Sequence, residues 1–283
     1  MTTPAQQDTA PRRSWLARQA SAEPTLPMRF CAVIPTYNNP ATIVAVVEAV
    51  RIFVPDVIVV DDGSATSARR IIAALGADGR AVVVHRARNG GKGAAVRSGL
   101  DEAAARGYTH AVQVDADGQH DLAAIPALLA AATAHPNAAI IGRPVFDATA
   151  PKARLRARRI TEFWVHVETF GRVIDDAMVG FRVYPVHATR ACGARGNRMD
   201  FDIEVAVRLA WAGVPIVNVP VAVRYLSAEQ GGVSHFRVVR DNLLISWLHT
   251  RLTTLAILRA LARLLLGSKH TIAAATVNRS EET

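Results

Sequence analysis

Residues 56–89 have the sequence DVIVVDDGSATSARRIIAALGADGRAVVVHRARN, which contains one strand–helix–strand unit. The β-branched run that ends at Asp61 predicts a strand, and the run at residues 81–89 predicts another. Between them, apolar residues recur at helical spacing as far as Gly76, so this segment is predicted to be a helix. Two strands connected through a helix favour parallel pairing, and the unit therefore predicts an α/β fold.

The same alternation continues on both sides of this unit. Strands are predicted at residues 29–38 and 109–119, and helices at residues 40–53 and 91–107. The later segments are predicted as strands at 137–146 and 214–225 and as helices at 151–174, 201–213 and 241–267. The chain is therefore expected to form a mostly parallel central sheet with helices on both faces, followed by a C-terminal helical extension.

The composition is that of a folded protein with anionic partners. Half of the 283 residues are hydrophobic, which allows a substantial core, and the formal net charge of +9 favours phosphates, nucleic acid or acidic lipid headgroups. Cys31 and Cys192 are the two cysteines, too few for a disulfide framework or a thiolate zinc site. This cysteine content is typical of a reducing cytoplasm.

The chain is expected to divide into three parts. Residues 1–27 lack the apolar region of a secretory signal and are predicted to be a disordered leader. Residues 28–235 are predicted to form the main domain, and residues 236–283 a basic, leucine-rich helical extension and tail. No run of about 18 uncharged apolar residues occurs, so no ordinary transmembrane helix is expected.

Polar residues follow each of the first four predicted strands. These clusters are Pro35 to Asn38, Asp61 to Ser64, Asn89 to Gly93 and Asp115 to Asp117. The carboxyl ends of parallel strands meet at one edge of a sheet, where ligands bind in α/β folds. One crevice is therefore predicted to collect all four clusters.

The cluster at Asp115 and Asp117 is a candidate metal site. Residues two positions apart on a strand point to the same side, and a turn, as Gly118 permits, would bring both carboxylates to one cation. Carboxylate oxygens suit Mg²⁺ or Mn²⁺, which complete their coordination with water and substrate phosphate. An acidic surface turn is the alternative that this motif alone leaves open.

Two further clusters point to a nucleotide. An acid at a strand end, such as Asp61 or Asp62, accepts hydrogen bonds from a ribose or base, although an N-cap of the next helix is the alternative. The segment NGGKGAA at residues 89–95 offers close backbone approach, a lysine and a helix N-terminus that favours anions. Its spacing differs from that of a P-loop, which argues against a nucleoside triphosphatase.

In this order, the motifs VIPTYNN, VVDDGS, NGGKGAA and VDADGQH resemble those of the family 2 glycosyltransferases. The resemblance implies the GT-A fold, a Rossmann-like α/β architecture, and a nucleotide-sugar donor. It implies that Asp115 and Asp117 hold a divalent ion, Mg²⁺ or Mn²⁺, on the donor diphosphate. The residues that it implies for the donor site are Pro35, Tyr37, Asn38, Asp61, Asp62, Lys92, Asp115, Gln119, His120 and Arg143.

The later motif DAMVGFRVYP at residues 176–185 resembles the dolichol-phosphate mannosyltransferase branch, whose members transfer sugars to polyprenyl phosphates. The sequence departs from that branch in two respects. His235 and Arg237 occupy the neighbourhood in which the branch has a lysine, and the paired transmembrane helices of many members are missing. The acceptor is therefore expected to contact Arg182, His235 and Arg237.

The resemblance implies a metal-dependent, inverting hexosyltransferase that uses a GDP- or UDP-sugar. The acceptor would be a lipid-linked or polyprenyl phosphate, in cell-envelope glycolipid or polysaccharide synthesis. The predicted catalytic residues are Asp117, Asp176, Arg182 and Glu204, and Asp202 is a further candidate base. The alternatives are structural, since Asp176 suits a turn cap and Asp202 a helix start.

Contact with a membrane surface is expected through the basic helix at residues 152–159 and the C-terminal extension. The protein is therefore predicted to lie on the cytoplasmic face of the inner membrane, although a solvated basic face is the alternative. The stripe Phe163, Trp164, Val167 and Phe170 is predicted to belong to the core, with an acceptor-lipid groove as the alternative.

Two other functions fit part of the pattern. A sugar nucleotidyltransferase would also use an α/β sheet and a cation, but its glycine-rich loop should lie near the N-terminus, where this chain has PTYNN. A non-catalytic nucleotide-sugar-binding protein would keep the pocket without turnover. Nucleic-acid binding is not expected, because no recognised module accompanies the positive charge.

Overall fold

The structure is a computed structural model that describes residues 27–146, 150, 152–171, 173–223 and 238–265. The strands are β1 Phe30–Thr36, β2 Val57–Asp61, β3 Val82–His85, β4 His110–Gln113, β5 Ala139–Phe146, β6 Arg182–Pro185 and β7 Ile216–Val223. The helices are α1 Ile43–Arg51, α2 Thr66–Ala77, α3 Lys92–Ala105, α4 Ile125–Ala134, α5 Lys152–Thr169, α6 Val186–Ala191, α7 Asp200–Trp211 and α8 Val238–Leu265. The predicted leader lies outside these residues, apart from Pro27.

One mixed sheet contains these strands in the order β3-β2-β1-β4-β6-β5-β7. The first four strands pair in parallel, as predicted, and β5 and β7 also pair in parallel. Strand β6 runs antiparallel to both of its neighbours. The prediction of a mostly parallel α/β sheet is confirmed. The sequence patterns missed the antiparallel strand β6 and the short helix α6 that follows it.

The sheet has a hydrophobic layer on each face. On one face, α1, α2 and α4 contribute residues such as Val47, Leu75 and Leu128 to the larger core. On the other face, α3 contributes Val96 and Leu100 to a smaller core. These helices place their apolar stripes against the sheet and expose their polar sides, which is the arrangement that the helical periodicity predicted.

Strand register brings the predicted clusters to one edge of the sheet. Thr36 at the end of β1 pairs with Asp61 at the end of β2, and Asp61 pairs with His85 at the end of β3. On the other side of β1, Gln113 at the end of β4 pairs with Arg182 of β6. The loops that follow β1, β2 and β4 therefore emerge side by side.

The C-terminal helix α8 packs against α5 and α7. Its buried residues Leu248, Leu252 and Ala256 lie at helical spacing on the side that faces the rest of the protein. The predicted division at residues 235 and 236 falls in a segment outside the described residues. Among the described helices, none combines the length and the apolar character that crossing a bilayer requires.

The aromatic stripe of α5 faces outward, so the prediction that it belongs to the core was wrong. Phe163 and Phe170 are 59% and 58% exposed. The buried face of α5 instead contains Thr161, Val165 and Glu168, which lie one turn apart. The helical spacing of the apolar residues was predicted correctly. The buried face, however, contains the polar residues Thr161 and Glu168, so the sequence pattern assigned the wrong face of the helix to the core.

Candidate active site

A cavity of about 1300 Å³ opens at the strand ends and continues between α5 and α8. At the strand-end side, its wall contains residues from four loops of the first half of the chain: Pro35, Tyr37, Asp62, Gly91, Lys92, Asp115, Asp117, Gln119 and His120. At the helical side, its wall contains residues from α5 and α8, including Arg158, Ile160, Trp164, Arg240, Ile245 and His249. The predicted strand-end crevice is thus one part of a longer cavity.

Lys92 lies between two carboxylates in this cavity. Its Nζ is 2.8 Å from Asp115 Oδ1 and 2.8 Å from Asp202 Oδ2. Burial alone would lower the pKa of Lys92, but the two neighbouring carboxylates outweigh it and raise that pKa. Gln113 Nε2 donates to the other oxygen of Asp202, so the lysine is held from the end of β4 as well.

The pKa values of Asp115 and Asp117 are shifted in opposite directions. Burial would raise the pKa of Asp115, but the charge of Lys92 and the contact with His120 outweigh burial and lower it. Burial and the negative charge of Asp115 both raise the pKa of Asp117. Asp117 Oδ1 accepts the backbone N–H of Gln119, which turns the chain after the strand. Both carboxylates therefore reach the same cavity, as the predicted turn requires.

These two carboxylates fit a hard cation that takes part of its coordination from a ligand. Within the described part of the chain, no group of three or more His, Cys, Asp or Glu side chains is arranged to hold a metal by itself. Mg²⁺ and Mn²⁺ bind through one or two carboxylates and complete their coordination with water and phosphate. The donor set matches that habit, since Asp115 and Asp117 line an open cavity rather than a closed cage.

The backbone at Gly180 approaches the lysine and the carboxylate very closely. A Cβ atom at this position would overlap Asp115 Oδ2 and Lys92 Nζ. Gly91, at φ +98°, is similarly constrained, because a Cβ there would overlap the carbonyl oxygen of Asn197. Glycine at position 180 therefore lets the loop before β6 approach Lys92 and Asp115. Glycine at position 91 lets the turn before α3 approach the loop before α7.

Asp62 organises the glycine turn before α3. Its two carboxylate oxygens accept the backbone N–H groups of Gly90 and Gly91, at 3.0 Å and 2.7 Å. Burial raises the pKa of Asp62, and these two hydrogen bonds oppose that rise. Arg86 Nε lies 2.9 Å from the same carboxylate. The turn is therefore fixed before any ligand enters the cavity.

Asp61 and Asn38 act on neighbouring loops instead of lining the cavity. Asp61 is fully buried and accepts the N–H of Ser64, and its other oxygen lies 2.8 Å from His85 Nδ1. Asn38, at φ 52°, accepts the N–H of Ala65 and donates its own N–H to the Ser64 hydroxyl. These contacts join the loops after β1 and β2, so both residues shape the region where Pro35 and Tyr37 line the cavity.

Asp176 and Arg182 hold the loop that carries Gly180. Asp176 accepts the N–H groups of Met178 and Val179 and pairs with Arg158 of the cavity wall. The guanidinium of Arg182 is fully buried and donates to the carbonyl oxygens of Ala177, Val179 and Asp202. Neither residue lies in the described cavity wall.

Glu204 is fully buried in α7 and also lies away from the described cavity wall. It accepts the N–H groups of Arg195 and Gly196 and pairs with Arg208 and Arg251. Burial would raise the pKa of Glu204, but these hydrogen bonds and charges outweigh it and lower that pKa. The carboxylate therefore connects α7, α8 and the loop before α7.

Arg143 of β5 does not belong to the described cavity wall. It is exposed and lies 3.8 Å from Asp175. His235 and Arg237 lie outside the described residues, so their acceptor contacts stay predictions.

The family of the chain follows from comparison with known proteins. The model for the family described as Glycosyl transferase family 2 matches residues 31–202, which is more than half of the chain. The chain belongs to glycosyl transferase family 2. It is a glycosyltransferase, as its motifs predicted.

Two curated relatives of this glycosyltransferase are similar over most of their length. A polyprenol monophosphomannose synthase from Mycolicibacterium smegmatis is 32% identical over 214 residues, which cover 71% of this chain and 79% of the relative. An undecaprenyl-phosphate mannosyltransferase from Micrococcus luteus is 29% identical over 209 residues, 69% of this chain and 83% of the relative. The predicted resemblance to the polyprenyl-phosphate branch is confirmed.

Solved structures confirm the GT-A fold of the glycosyltransferase. A glucosyl-3-phosphoglycerate synthase from Mycobacterium tuberculosis in complex with UDP superposes with a TM-score of 0.60 at 18% identity, covering 81% of this chain and 80% of that one. The same enzyme with Mn²⁺, UDP and phosphoglyceric acid gives a TM-score of 0.59 at 17% identity, covering 82% and 78%. At this identity the similarity concerns the fold.

Several residues of the cavity wall were absent from the predicted site. Arg158, Arg198, Arg240 and His249 line the cavity of the glycosyltransferase. Arg158 was predicted only as part of the basic helix that contacts a membrane, and the other three belong to no predicted motif. Asp202 was predicted as a base or a helix start, and the structure shows it paired with Lys92. The sequence feature that could have indicated Arg198 and Arg240 is a basic residue close to the start of a helix. Such residues are common on protein surfaces, so this feature alone does not identify a site.

Proposed function

We propose that this glycosyltransferase transfers a sugar from a GDP- or UDP-sugar to a polyprenyl phosphate, with inversion at the anomeric carbon. The observation that carries the proposal is the shape of the cavity, which joins the charged strand-end group to a cleft between α5 and α8. The names of the two curated relatives support this acceptor class, since both name a polyprenyl-type lipid and mannose. The product would serve cell-envelope glycolipid or polysaccharide synthesis.

The donor is proposed to occupy the strand-end side of the cavity. Lys92, at the N-terminus of α3, and Arg198 offer positive groups to a diphosphate. Asp115 and Asp117 would hold Mg²⁺ or Mn²⁺, which would supply charge neutralisation for the departing diphosphate. Tyr37, Gln119 and His120 line the same region and are proposed to contact the base, ribose or sugar.

The acceptor is proposed to enter from the helical side. Ile160, Trp164 and Ile245 give this side apolar surface for a lipid chain, and Arg158 and Arg240 provide positive charge for its phosphate. A phosphate is already anionic near neutral pH, so it needs orientation more than a base. We accordingly propose that Asp176, Arg182 and Glu204 act on the reaction through the loops and helices that they hold in place. Arg143 is proposed as a further contact of the donor. His235 and Arg237 are proposed as further contacts of the acceptor.

The function is tested with a panel of GDP- and UDP-sugars, each with a short-chain polyprenyl monophosphate and Mg²⁺ or Mn²⁺. One donor is expected to give a lipid-linked sugar of inverted anomeric configuration, measured by NMR, and chelation of the metal with EDTA should abolish transfer. Donor binding without turnover would instead identify a nucleotide-sugar-binding protein. Formation of a nucleotide sugar from a sugar phosphate and a nucleoside triphosphate would identify a nucleotidyltransferase.

We also propose that the protein lies on the cytoplasmic face of the inner membrane as a peripheral protein. The outer side of α8 exposes Leu243 and Trp247, which are one turn apart and 66% and 65% exposed. Ile257 and Leu261 are exposed on the same side of this helix. Exposed apolar and aromatic residues suit a lipid–water interface, and the formal charge of +9 favours anionic headgroups.

Replacing both Leu243 and Trp247 with glutamate is expected to weaken binding to anionic vesicles by about 10³-fold, because each large side chain loses roughly 2 kcal/mol of apolar transfer, about 4 kcal/mol together. Flotation with vesicles of phosphatidylglycerol and phosphatidylethanolamine measures the effect. The control is Ile52→Glu, which changes a residue that is 77% exposed just beyond α1. Equal flotation of the double variant and the wild type would rule out this surface.

A further inference from the structure

His249 and Glu168 form a buried pair in the helical wall of the cavity. His249 of α8 lines the cavity and is only 5% exposed. Its Nδ1 lies 2.8 Å from Oε1 of Glu168, a fully buried residue of α5. The family match ends at residue 202, so half of this pair comes from outside the matched segment. Neither residue belongs to the motifs described above.

The other ring nitrogen of His249 has no partner within the part of the chain that the structure describes. Its Nε2 is buried and forms no hydrogen bond with the described residues. Leaving a buried polar atom unpaired is costly, so such an atom in a cavity wall indicates a partner that binds there. The indole of Trp164, also in the cavity wall, stacks on the imidazole with ring centres 6.4 Å apart. Glu168 and Trp164 together fix the orientation of the ring.

The chemistry of the pair favours an anionic oxygen as the missing partner. The carboxylate of Glu168 accepts from Nδ1, so Nε2 is the ring atom left to contact a ligand, and an N–H at Nε2 would donate to an anionic oxygen. Arg158 and Arg240 line the same side of the cavity and attract an anion. The helical side of the cavity, where Ile245 and Trp164 flank His249, differs from the strand-end side that holds Lys92 and Asp115.

We infer that His249 is an acceptor-binding residue that donates a hydrogen bond from Nε2 to the phosphate of the lipid acceptor. Glu168 is then a positioning residue that acts through the imidazole. This inference rests on the proposed function, because it assigns the acceptor phosphate to the helical side of the cavity. The inference adds a hydrogen-bond donor, His249, to the two arginines that line the same side of the cavity, Arg158 and Arg240.

The test compares His249→Gln and Glu168→Gln with wild type in transfer to a short-chain polyprenyl monophosphate. Loss of a charge-assisted hydrogen bond is expected to raise the KM for this acceptor roughly tenfold in both variants. The kcat at saturating acceptor, and donor hydrolysis without acceptor, should stay within about threefold of wild type, since the donor contacts are unchanged. The matched control is His187→Gln, an exposed histidine of α6.

The outcomes separate this inference from the proposed function. An unchanged KM in the His249→Gln variant, with normal transfer by wild type, would overturn the inference and leave the function intact. Parallel losses of acceptor transfer and donor hydrolysis would show a structural role and would also overturn it. Wild-type protein that never modifies the polyprenyl phosphate would instead refute the proposed function. Thermal unfolding of each variant identifies any that fails to fold, and the other variant then decides.

Discussion

An Asp117→Asn variant is expected to lose sugar transfer by about 10²- to 10³-fold, because it removes a charge that would hold the cation on the donor diphosphate. Asp117 is the better target of the two carboxylates. Asp115 is also an ion-pair partner of Lys92, so its loss would disturb the pocket as well as the cation. The measurement is kcat over a titration of Mn²⁺, with donor binding followed separately.

The matched control for this prediction is Asp121→Asn. Asp121 is an exposed residue four positions further on, and its side chain accepts the N–H of Ala123 in the short 3-10 helix Leu122–Ala124 that precedes α4. Asparagine can keep this cap, so the control should retain transfer within about twofold and show the same metal dependence. Full activity of Asp117→Asn with unchanged Mn²⁺ dependence would remove Asp117 from the proposed metal site.

In a Gly180→Ala variant, the rate of sugar transfer is expected to fall by about 100-fold, because Lys92 or Asp115 is displaced. The added methyl group would overlap Lys92 Nζ and the Asp115 carboxylate, so one of them must move. A displacement of about 1 Å in a reacting site can cost two orders of magnitude in rate. The expected loss of stability is smaller, about 1–3 kcal/mol, which is typical of overpacking.

Gly171→Ala provides the comparison, because a Cβ atom at Gly171 meets no atom within 4 Å. This control should keep both activity and thermal stability close to wild type. Transfer rates and the midpoint of thermal unfolding are measured for both variants. Normal transfer by Gly180→Ala would show that the close approach of this loop to Lys92 and Asp115 is unimportant for the reaction.

Local patterns predicted the fold well where strand and helix alternate. The runs at residues 56–89 became β2, α2 and β3 with small shifts at their ends. Strand β6 was missed because it has four residues and begins with Arg182, a charged residue that the fold buries. A short strand with a buried guanidinium shows no apolar period, so only its neighbours β4 and β5 define it.

The candidate site was predictable in its strand-end part and less so elsewhere. Asp115 and Asp117 follow one strand in the sequence, and α3, which packs against β1 and β2, begins with Lys92 beside them. The pairing of Lys92 with Asp202 spans 110 positions, and no local pattern reports such a distance. Glu204 was predicted to act in catalysis because an acidic residue on an apolar helix face is rarely buried without a functional or structural role. The fold supplies a structural reason, through backbone N–H groups and arginines.

The origin of the cavity walls has a consequence for how such an enzyme diversifies. The strand-end wall comes from the segment that matches the family, whereas α8 lies wholly beyond residue 202 and provides much of the opposite wall. In the proposed function, the donor side would come from the matched segment, whereas the acceptor side would combine α5 of that segment with α8. Exchange of α8 between relatives would then change only part of the acceptor wall and leave the donor wall unchanged.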